Sequence, residues 1–84
     1  MSEIPFVTSE TDLASYLLLS GFKLIVIQYE PRQNGKQRGL FFFEADERLD
    51  EFKNLFESGQ ASVNVADFKE TKMGLLDRVL KGLP

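Results

Sequence analysis

Lys23-Leu24-Ile25-Val26-Ile27-Gln28-Tyr29-Glu30, then Pro31-Arg32-Gln33-Asn34-Gly35-Lys36-Gln37, then Arg38-Gly39-Leu40-Phe41-Phe42-Phe43-Glu44-Ala45, reads as strand, turn and returning strand. β-Branched and aromatic side chains crowd both arms, as a pleated, buried surface favours. Asn34-Gly35 is a strong short-range hairpin signal, because both residues tolerate positive φ. A two-residue turn there sets Tyr29 opposite Leu40, Ile27 opposite Phe42 and Val26 opposite Phe43. Opposed residues share a face. One face then carries Ile25, Ile27, Tyr29, Leu40 and Phe42, and the other Leu24, Val26, Phe41 and Phe43. Both are apolar, so both need cover.

Outward from the hairpin, Ile4 to Val7 reads as a short strand that Pro5 confines to a sheet edge. The polar run Thr8-Ser9-Glu10-Thr11-Asp12 offers N-cap oxygens and acids for the positive end of a helix over about Asp12–Ser20. Gly21 suits the left-handed position that closes this helix, and Phe22 can fold back on Leu17. Beyond the hairpin, Asp46 caps a second helix with Leu49, Phe52, Leu55 and Phe56 on its buried side, and Gly59 ends it. Val63 and Val65 alternate with Ser62 and Asn64, which predicts a strand over Ala61–Ala66. Asp67-Phe68-Lys69-Glu70 predicts a capping box for a third helix, with Phe68, Leu75, Leu76, Val79, Leu80 and Leu83 along one broad side. Gly74 weakens its middle by about 1 kcal/mol relative to alanine.

The expected order is βαββαβ with an additional C-terminal helix. It is an α+β, ferredoxin-like (split βαβ) antiparallel sheet in a single domain over 1–84. Such a sheet sets two helices on one face. The remaining apolar face, with Leu24, Val26, Phe41 and Phe43, then calls for the third helix, a second copy or a protein partner.

Composition narrows the function classes. Eighty-four residues with 43% hydrophobic and 27% charged side chains describe a small globular domain, and eight phenylalanines invest it heavily in apolar contact. Without histidine or cysteine it lacks the commonest general base, nucleophile and zinc ligands, and no phosphate loop or nucleophile elbow is present. The reading is therefore not an enzyme, with no cofactor, no metal and no small-molecule substrate. The acids Glu44, Asp46, Glu47, Asp50 and Glu51 suit a helix dipole better than a cation loop. A start without basic and apolar leader regions, apolar runs too short for a bilayer and the lack of cysteine point to a soluble, cytoplasmic protein. Net charge is −3, so any nucleic-acid contact must be local. Arg32, Lys36 and Arg38 at the hairpin tip supply such a patch, although charges also protect a sheet edge from mispairing.

Two resemblances attach to these residues. Arg38-Gly39-Leu40-Phe41-Phe42-Phe43 is similar in part to the RNP1 strand of RNA-recognition motifs. Arg38, Gly39 and Phe42 agree. Leu40 and Ala45 stand where aromatic residues stack bases, and Phe41 replaces a small residue, so the stacking mechanism largely fails. More broadly, Phe6-x-Thr8, Leu13-Ala14-x-Tyr16-Leu17-Leu18-x-x-Gly21-Phe22, Phe41-Phe42-Phe43-Glu44, Phe56-x-x-Gly59 and Val63-x-Val65-x-x-Phe68 resemble a family of small bacterial and phage domains of unknown function. That resemblance implies phage-linked or mobile-element biology and transfers no catalytic residue. The preferred function is a non-enzymatic protein-interaction or self-association module, with a regulatory role as one form of it. The alternative is nucleic-acid binding through the hairpin tip.

Overall fold

The computed structural model describes residues 4–31 and 37–81. In chain order its elements are β1 (Phe6–Thr8), α1 (Thr11–Leu19), β2 (Leu24–Pro31), β3 (Gln37–Phe43), α2 (Glu47–Glu57) and α3 (Val65–Lys81). The protein is α+β, with three antiparallel strands in the order β1-β3-β2 and three helices. Because β3 runs antiparallel to both neighbours, β1 and β2 are parallel with β3 inserted between them. That is the β-α-β half of the expected plan.

The second half departs from it. No strand forms over 61–64, and Val65 already belongs to α3. The Asn64 side chain accepts the Asp67 N–H at 3.0 Å, and its carbonyl accepts the Phe68 N–H, so Asn64 caps the helix ahead of the predicted box. Ala61 and Val63 still turn toward the core. Their alternation reports burial alone. In the ferredoxin-like order a fourth strand would pair with β1, which offers three residues preceded by Pro5, a residue with no N–H to give.

The hairpin register also differs, by one residue. Ile27 opposes Phe41, Tyr29 opposes Gly39 and Pro31 opposes Gln37, which replaces the pairing a two-residue Asn34-Gly35 turn requires. The tip itself lies outside the described residues. A one-residue shift sends every side chain of one strand to the other face relative to its partner. The covered face therefore carries Ile27, Tyr29, Phe41 and Phe43 with Phe6 of β1. An irregularity between Leu24 and Val26 brings Leu24 opposite Phe43, and Leu24 packs against the core.

All three helices contribute to that one core. Leu13, Ala14, Tyr16 and Leu17 of α1, Leu49 of α2 and Leu75 of α3 are buried with Phe22, Ile27, Phe41 and Phe43. Phe22 meets Phe52 edge-on at 5.3 Å between centroids, which seats α2 beside α1. Gly21, at φ +97°, closes α1 as its sequence predicts: the Phe22 N–H reaches the Leu17 carbonyl and the Gly21 N–H reaches that of Leu18. Asp46 caps α2 by accepting the Arg48 N–H at 2.8 Å.

α3 does fold back onto the sheet, but on the same face as α1. The Tyr29 hydroxyl donates to the Arg78 carbonyl at 3.1 Å, and a Cβ on Gly39 would stand 2.9 Å from Val79 Cγ2. Glycine at 39 is thus what lets the last turns of α3 reach the strand. Lys72 Nζ meets Asp12 Oδ1 at 2.7 Å and ties the middle of α3 to the start of α1.

Candidate interaction surface

The residues expected to form an apolar docking face do not share one. Phe41 and Phe43 are 1% and 0% exposed in the core, and Leu24 packs against it. Only Val26 points to the other side. The correction follows from the register, which trades Phe41 and Phe43 for Leu40 and Phe42 on the uncovered face. That face carries Val7, Val26, Leu40 and Phe42 with the polar Gln28, and none of the four apolar residues belongs to the core cluster or packs against it. Phe42 is its single aromatic ring among the described residues.

Arg32 and Lys36 lie outside the described residues. The Arg38 backbone pairs with Glu30 in the ladder, and its side chain is likewise outside what is described. Of the acids considered for a cation, Glu44 pairs with Lys23 at 3.7 Å, and Asp46 bonds the Arg48 backbone and guanidinium. Those bonds, first from the Arg48 N–H and then from its side chain, hold the Asp46 carboxyl below its ordinary pKa. Among the described residues no cluster of three or more His, Cys, Asp or Glu side chains could hold a metal. No described helix is long and apolar enough to cross a membrane.

The larger apolar surface lies elsewhere. Of the eight large hydrophobic side chains left exposed among the described residues, four sit on α3: Val65 (79%), Met73 (60%), Leu76 (40%) and Leu80 (83%). With 3.6 residues per turn these four, and Lys69 between them, fall on one stripe along the whole helix. The buried side of α3, with Phe68, Leu75 and Val79, adjoins that stripe, its centre about 100° away around the helix. Leu76 edges an open cleft of about 530 Å³ whose walls include Asp12, Phe56 and Lys72.

Sequence reasoning put Leu76 and Leu80 inside, Val65 in a strand, and passed over Met73. The signal was present: the apolar arc of α3 is too wide for one buried face. A helix on a two-layer domain buries about a third of its circumference, and the remainder of a wider arc stays outside.

No curated protein and no solved structure matches the chain. A family model does, over residues 4–80: the chain belongs to the family described as Domain of unknown function (DUF5659).

Proposed function

We propose that this domain is a non-enzymatic association module that binds protein through the outward stripe of α3. The carrying observation is the run Val65, Met73, Leu76 and Leu80, exposed along a helix whose adjoining side is already committed to the core. A solvated helix gains nothing from four large apolar side chains in water, whereas a docked one buries them at about 25 cal/mol per Å². The lack of histidine and cysteine in the chain supports the non-enzymatic part. A cytoplasmic setting and a bacterial or phage origin rest on the composition and on the family resemblance. The basic hairpin tip has its sequence alone behind it.

The test compares the tagged chain with a Met73→Glu/Leu80→Glu variant, both recovered from their native cells under mild conditions and sized by light scattering. The wild-type chain should travel in a complex, with its own copies or another protein, and the variant should travel alone. A wild-type chain at its monomer mass of 9.6 kDa, or a complex unaffected by the double substitution, contradicts the proposal.

A further inference from the structure

We infer that the partner of the α3 stripe is α3 of a second copy, packed antiparallel about a two-fold axis at Met73. The inference rests on the association reading above and adds the occupant and its register.

The spacing Lys69, Met73, Leu76, Leu80 runs four, three, four, which is the seam of a coiled coil, and Ala66, three residues before Lys69, extends it by a turn with Val65 beside it. Two copies can meet along such a seam in a few symmetric ways, and the charges choose among them. A parallel pair sets Lys69 against Lys69 and Asp77 against Asp77. An antiparallel pair centred on Met73 sets Lys69 of each copy level with Asp77 of the other, twice. Both side chains are exposed. Asp77 already holds Lys81 of its own helix at 3.2 Å, and Lys69 makes no ion pair among the described residues.

The same axis brings Met73 onto Met73 and lays the Lys69 stem beside Leu76. It also packs Leu80, the most exposed residue of the stripe, against Val65 and Ala66 at the far end. Sliding the axis one turn toward the C-terminus leaves Lys69 with no facing residue on α3. Sliding it one turn the other way leaves Leu80 with no facing residue on α3. A lone lysine in an apolar seam fixes register in this manner, its stem covering apolar surface while its ammonium reaches the rim. The open cleft beside Leu76 leaves the second helix room.

The experiment is sedimentation equilibrium of the purified full chain at low salt, with helicity followed by circular dichroism. Wild type should show a monomer–dimer equilibrium. Lys69→Asp and Asp77→Lys should each weaken it by about tenfold or more, since each creates two like-charge contacts. The Lys69→Asp/Asp77→Lys double variant should dimerise at least about threefold more tightly than either single reversal, because the exchange restores both pairs. A monomer at every concentration overturns the second-copy inference while leaving the association module to stand or fall on its own test. A dimer indifferent to the single reversals, or not rescued by the double one, overturns the register.

Discussion

Asp46 shows how one residue's place in the chain sets a measurable property. It precedes α2, accepts the Arg48 N–H and pairs with the Arg48 guanidinium. Its carboxyl is consequently more acidic in the folded chain than in the unfolded one. A depressed folded pKa contributes stability above the unfolded value and loses it as pH falls through the folded value. Replacing Asp46 by alanine should therefore lower the urea midpoint more at pH 7 than at pH 3, where pH has fallen below the ordinary carboxyl value of 3.8 and protonation of the unfolded chain has begun to offset the charged cap. A penalty equal at the two pH values would show that the charge plays no part in the cap. This cap was readable in the sequence because it depends on a few adjacent residues, and so was Gly21, whose left-handed backbone is forced by the turn it closes.

Among the elements, α3 decides what the domain presents. Its docking on the sheet depends on Gly39, and a methyl there would strike Val79. Gly39→Ala should cost about 1–3 kcal/mol as an overpacked contact. Adding Val79→Ala should recover part of that loss, although Val79→Ala alone is destabilising. Denaturation of the three variants measures the coupling, and strictly additive losses would mean that the helix does not rest on the strand there. Elements set by local signals were legible: both hairpin strands, α1, α2 and the existence of α3. The failures share one cause, which is competition from distant partners. Val63 and Val65 alternate as a strand does, but a strand needs a neighbour, and Asn64 offered the backbone a helix cap instead. The described rungs of the hairpin are offset by one residue from those a two-residue Asn34-Gly35 turn sets, an offset that the apolar arms accept because both faces of each are apolar.

At the scale of the whole molecule, three helices share one sheet face, so the arrangement leaves two apolar surfaces without cover among the described residues. One is the flat face around Val26 and Phe42, whose residues are mostly half-buried by their neighbours. The other is the ridge of Val65, Met73, Leu76 and Leu80, which stands further into solvent. The sequence announced surplus apolar surface but placed it on the sheet, because the helix count was one short on that side. The chain's lack of cysteine makes the placement of the ridge directly testable. Across a two-fold at Met73, a cysteine at 73 meets its own copy, whereas cysteines at 81 lie about 24 Å apart along the helix axis. A disulfide needs Cα atoms within about 7 Å. Mild oxidation of the purified Met73→Cys chain should give a covalent dimer, and the Lys81→Cys chain should form no covalent dimer under the same conditions. Equal cross-linking at both positions, or none at 73, would contradict the account.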